Sequence, residues 1–147
     1  MFRKANLLWA VLVFALPVAA QDMAQIATKP ICEPAAFTIS AHSAKNCAFV
    51  VPEGRVAKLV GHFTATGGPR NTIEVWVLDD DAYVNWENHH AVHALYNSQK
   101  VTTGTIEVML RPGKYHVVFD NLFSIMTPKA IEANMALEFK VPQVGTN

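Results

Sequence analysis

Two sets of residues, one apolar and one mostly polar, alternate over residues 131–140. Ile131, Ala133, Met135, Leu137 and Phe139 interleave with Glu132, Asn134, Ala136, Glu138 and Lys140. A period of two places one set inward and the other in water, which predicts a half-buried strand. Thr72–Leu78 repeats the pattern, with Ile73, Val75 and Val77 on one face and Glu74, Trp76 and Leu78 on the other. Thr105–Leu110 sets Ile106, Val108 and Leu110 against Thr105, Glu107 and Met109, and Tyr115, Val117 and Phe119 continue after the Arg111-Pro112-Gly113-Lys114 turn. Further strands are predicted over 37–42, 47–51 and 56–66, the last with a bend at Gly61. They are separated by Ser43–Asn46, Pro52-Glu53-Gly54 and the Gly67-Gly68-Pro69-Arg70-Asn71 break. The prolines at 30 and 34 predict an irregular lead-in over 21–36. Many short strands at close spacing indicate an all-β fold, an antiparallel β-sandwich of jelly-roll kind.

One stretch departs from this rhythm. Residues 79–97 begin with Asp79-Asp80-Asp81 and carry Tyr83 and Trp86 at helical spacing. Free N–H groups at a helix start favour negative charge, so a short helical insertion bridging one sheet to the other is expected here. Trp76 points away from the core stripe. It either packs under that helix or marks a binding patch, together with Tyr83 and Trp86.

The N-terminus changes the accounting. Arg3 and Lys4 precede the apolar run Ala5–Leu16, Pro17 breaks it, and Val18-Ala19-Ala20 ends in small residues before Gln21. This is the layout of a Sec signal peptide over 1–20, with cleavage expected after Ala20. The run is shorter than the roughly 20 residues of a spanning helix, so an uncleaved anchor is the weaker reading. Loss of Arg3 and Lys4 takes the formal charge from zero to −2. That balance argues against nucleic acid as a partner and gives no general attraction to anionic lipid. The mature chain is expected to be periplasmic or secreted, with no membrane span. In such an oxidising compartment the sole cysteines, Cys32 and Cys47, read as a disulfide rather than a redox or metal pair.

Candidate chemistry is sparse. His89, His90 and His93 would put two imidazoles on one helical face, a possible metal site with the aspartates upstream. The Glu of H-E-x-x-H is absent, and Asp79–Asp81 lacks the spacing of a calcium loop. His42, His62 and His116 fall in predicted strands as wet-face or hydrogen-bonded residues. No nucleophile elbow or phosphate loop occurs, so no cofactor and no catalytic residue is expected.

Residues 115–129 read Tyr-His-Val-Val-Phe-Asp-Asn-Leu-Phe-Ser-Ile-Met-Thr-Pro-Lys. This segment resembles the Y-x-x-x-F-x-N-x-x-S-x-M-T-P-K stretch of the GOLD (Golgi dynamics) domain in the lumenal part of ER–Golgi cargo receptors. The matching positions are Tyr115, Phe119, Asn121, Ser124, Met126, Thr127, Pro128 and Lys129. The resemblance implies a GOLD-like β-sandwich over 37–141, a short tail at 142–147, and recognition of a partner without catalysis. The receptors carry a cysteine where this chain has Val118, and they continue into a coiled coil and an anchor. The expectation is therefore a free-standing exported relative, of a bacterial kind. It would be a binding or accessory domain for a protein or carbohydrate ligand, with a metal-dependent role for the histidine cluster as the alternative.

Overall fold

The structure is a computed structural model describing residues 26–140. The leader at 1–20, the first residues of the lead-in and the tail at 142–147 lie outside the described residues. The described chain forms two antiparallel sheets and one short helix. In order these are β1 (Ile26–Ile31), β2 (Ala36–Ile39), β3 (Ala44–Val51), β4 (Ala57–Thr66), β5 (Ile73–Asp79), α1 (Asp80–Glu87), β6 (Tyr96–Val101), β7 (Thr103–Leu110), β8 (Gly113–Asp120) and β9 (Lys129–Lys140). One sheet runs β1-β9-β4-β7, with β2 also on β9, and the other runs β3-β8-β5-β6. The β-sandwich expected from the alternation is what forms.

The inward residues of both sheets meet in one core. Leu59, Phe63, Val75, Val77, Ile106, Val117, Phe119 and Leu137 are completely buried. Phe119 is its aromatic centre, meeting Phe63 edge-on at 6.1 Å and Phe37 at 5.2 Å.

Five expectations need correction. The lead-in contains β1, and Pro30 is tolerated because β1 is an edge strand whose missing N–H breaks no ladder on its outer side. β1 and β2 lie along the same edge of β9, pairing with 135–140 and 129–132. The helix ends at Glu87, not near 97, and the rest of the insertion supplies β6. It joins β5 to β6, two neighbours in one sheet, so it does not bridge the sheets. Gly61 makes no bend, for β4 pairs with β9 without interruption from Ala57 to Thr66. A Cβ there would stand 2.7 Å from the Asn134 carbonyl oxygen, so the glycine permits close approach instead. His42 lies in the β2–β3 turn at φ 55°, outside any strand.

Cys32 and Cys47 are bonded, with Cα atoms 5.2 Å apart. The bridge joins the corner after β1 to β3, an edge strand of the other sheet, and so staples the two layers. Among the described residues no helix is long and apolar enough to cross a membrane.

Candidate functional site

The helix creates a composite face on the sandwich. Asp79 caps it, its Oδ1 accepting from the Ala82 N–H at 2.8 Å, and Asp80 and Asp81 fill the first turn. This matches the role expected of the acidic run. With α1 laid across β5 and β8, residues that should face water are covered. Leu78 and Val118 are fully buried, and Trp76, Tyr83, Trp86 and Val92 pack against them. Trp76 thus lies under the helix. Its indole nitrogen is buried without a hydrogen bond among the described residues.

His116 is also covered, at 3% exposure. Its Nε2 lies 2.8 Å from Asp80 Oδ1 and its Nδ1 lies 3.1 Å from Asn46 Oδ1. Both ring nitrogens face side-chain oxygens, so the imidazole is tied to α1 on one side and to β3 on the other. Lys114 reaches the same Asp80 oxygen at 2.8 Å. Hydrogen bonds from Lys114 and then His116 hold the Asp80 carboxyl below its ordinary range. The Tyr83 ring lies parallel to the imidazole at 3.9 Å and 8°. Its hydroxyl donates to Glu87 Oε1 at 2.5 Å. Burial and then the Glu87 carboxylate push that phenol up to about 12.

Trp86 continues the surface beyond Tyr83, its ring 6.1 Å away and tilted by only 16°. Beside these rings is an open depression of about 320 Å³, lined by Asn46, Tyr83, Trp86, Glu87, His89 and Leu122 among others. It joins two half-buried aromatic rings to a carboxylate, an amide and an imidazole. Two further depressions among the described residues are larger but offer less convergent chemistry. One of about 480 Å³ lies on the open sheet around Gly61, His62, Asn134 and the disulfide corner. The other, of about 510 Å³, is lined by Ile26, Val56, Met109, Phe139, Arg55 and Lys140.

The histidine cluster does not assemble. The Asn88 side chain donates to the Val84 carbonyl at 2.7 Å, and His89 turns to φ 58°, so the helical face that would align His89 with His93 ends before either. Among the described residues no group of three or more His, Cys, Asp or Glu side chains is placed to hold a metal ion. His89 alone joins the depression.

Asn121, Ser124, Pro128 and Lys129 form a structural lock at one end of the sandwich, and Tyr115 fixes a turn at the other. Asn121 is wholly buried, and its Nδ2 donates to the Ser40 carbonyl at 3.0 Å and the Thr127 carbonyl at 3.1 Å. Ser124 Oγ donates to the same Thr127 oxygen at 2.8 Å. Tyr115 donates to the Arg111 carbonyl at 3.0 Å, fixing the β7–β8 turn. Pro128 precedes β9. Lys129 is 3% exposed, with Nζ 2.6 Å from the Gly67 carbonyl oxygen, so its charge ties the glycine-rich break to β9. The motif therefore has a physical reading apart from any family: it satisfies loop carbonyls that the ladders have released.

Asp80, Asn46 and Glu87 are site residues that sequence reasoning missed. Their signal was weak: His116 and Val118 look like wet-face residues until a helix is known to lie over them. Neither the protein-family models nor the curated proteins compared with this chain give a match.

Proposed function

We propose that this chain is an exported, non-enzymatic β-sandwich of GOLD-like kind whose helix-capped face binds a saccharide. The observation carrying the reading is the near-parallel Tyr83–Trp86 pair beside Glu87, Asn46 and His89. A sugar ring offers apolar C–H faces to aromatic rings and hydroxyls to a carboxylate or amide around them. The rings are held in advance, Tyr83 by His116 and Glu87, and Trp86 by the packing over Val118. Preorganisation of this kind lowers the entropy lost on binding. Asp80 is already engaged by Lys114 and His116, which supports recognition over bond-breaking chemistry.

Export rests on the leader pattern at 1–20, and the Cys32–Cys47 bond is compatible with it. The GOLD-like reading rests on the 115–129 motif. Its implied trade, partner recognition, agrees with a prebuilt surface, though a fold by itself assigns no ligand.

The experiment is a glycan-array screen of the disulfide-bonded protein, followed by NMR titration of the best saccharide against wild type and Trp86→Ala. Shifts confined to residues around Tyr83 and Trp86 are expected. The variant should lose at least about tenfold in affinity, near 1.4 kcal/mol. No binding at millimolar saccharide, or equal affinity in the variant, sinks the reading.

A further inference from the structure

The β8–β9 loop, residues 121–128, carries the two most exposed large apolar side chains described. Ile125 is 86% exposed and its neighbour Met126 is 87% exposed. The backbone beneath them is held on several sides. Ser124 N–H donates to the Asn121 carbonyl at 3.1 Å, and His42 N–H donates to the Ser124 carbonyl at 2.7 Å. Asn121 and Ser124 both donate to the Thr127 carbonyl. The lock thus fixes a loop whose apex projects apolar groups outward. A loop that merely connected strands would gain solubility from polar residues at that apex.

Two exposed cations flank the apex. Arg70 stands exposed in the neighbouring Gly67–Asn71 break, and Lys100 lies 4.3 Å above the ring of Phe123 in the same loop. Residues 40–43, 67–72 and 121–128 contain no Asp or Glu. Two half-buried acids lie behind them: Asp120, whose carboxylate accepts from the Leu122 N–H at the base of the loop, and Glu74, which pairs in register with both Asp120 and Lys100. An exposed apolar tip flanked by two exposed cations, with the acids half-buried behind it, has the form expected for an anionic bilayer surface. Apolar side chains there enter the acyl boundary while Lys and Arg meet headgroups. The near-neutral charge of the whole chain does not oppose this, because screening confines the interaction to charges within about 10 Å of the lipid.

We infer that the loop end of the sandwich docks reversibly on anionic lipid bilayers, with Ile125 and Met126 inserted and Arg70 and Lys100 on the headgroups. Insertion of two side chains gives shallow, exchangeable binding.

Vesicle flotation of the disulfide-bonded protein tests this, using phosphatidylcholine alone and phosphatidylcholine mixed with phosphatidylglycerol. Wild type should float with the anionic vesicles, less so as salt rises, and weakly with the neutral ones. An Ile125→Ser/Met126→Ser double variant should lose on the order of 100-fold in partitioning, and Lys100→Gln should weaken binding mainly at low salt. Met109→Ser removes an exposed apolar group at the opposite end of β7 and should change nothing. Both loop side chains are solvent-facing, so the double variant should melt as wild type does. Absence of vesicle binding, equal partitioning of the double variant, or equal binding to both vesicle types overturns the inference. So does retained flotation in the double variant alongside lost self-association, which would assign the tip to a protein contact.

Discussion

Asn121 shows how one side chain can hold a loop. Its amide satisfies two carbonyls from segments far apart in sequence, Ser40 and Thr127, in a site closed to water. Asn121→Ala would leave Ser40 without that donor and open a small cavity. A loss of about 2–3 kcal/mol is expected in denaturant melts. Asp120, next to it, works the other way. Burial raises its carboxyl pKa, against the opposing pull of the Leu122 N–H at 2.7 Å, of Lys100, and of the Trp76 indole, which lies near it without completing a hydrogen bond. A raised pKa means the folded state holds this proton more tightly than the unfolded chain. Stability from this group is therefore full below the ordinary carboxylate pKa and is lost as pH rises through the raised value. Asp120→Asn keeps the acceptor for Leu122 and removes the buried charge. The variant should be more stable than wild type at pH 7, with the gap closing on acidification, as read by melts across pH. Asp80 has the opposite sign: its depressed pKa gives stability at neutral pH that is lost on acidification.

At the scale of elements, α1 is the decisive piece and a fragile one. It is eight residues long, shorter than helices that hold in isolation, and has no basic residue in its last turn. It stands by its Asp79 cap and by packing Ala82, Tyr83 and Trp86 over β5 and β8. Asp79→Ala should cost about 1 kcal/mol and loosen the helix. Tryptophan fluorescence, reporting Trp76 and Trp86, should shift red before global unfolding, and saccharide affinity should fall with it. The helix boundary was legible in the aspartates, but its length was not. Tyr96–Val101 is polar enough to resemble the rest of the insertion, yet it pairs with β5 through a register shift near Trp76 and forms the edge of that sheet. β1 was hidden in the same way, since Pro30 argues against a strand unless the strand is known to be an edge.

At the scale of the whole molecule, the disulfide joins the two sheets where each ends in an edge strand. It closes a 15-residue separation, for which chain entropy gives about 3 kcal/mol of stabilisation. Intact mass should show two hydrogens missing. Reduction, or Cys32→Ser/Cys47→Ser, should lower the unfolding free energy by up to that amount while the long β4–β9 pairing retains the fold, as far-ultraviolet circular dichroism would show. Free thiols in the purified protein would remove the oxidising-compartment argument.

The period-two alternation by itself determined the class of the protein. Burial of one sheet face is a local requirement written into each strand, and the long strands Ala57–Thr66 and Lys129–Lys140 carry it plainly. The cysteine pair was likewise readable, because an isolated pair behind a leader-like N-terminus has few other uses. Tertiary structure alone decided the site. His116 meets Asp80 across 36 positions and Asn46 across 70, and only the laying of α1 over β8 turns those wet-face residues into a covered, hydrogen-bonded support for Tyr83. It also decided that the histidines disperse and that Ile125 and Met126 project. Those outcomes depend on where backbones end, which is set by long-range pairing and not by the residues of any one segment.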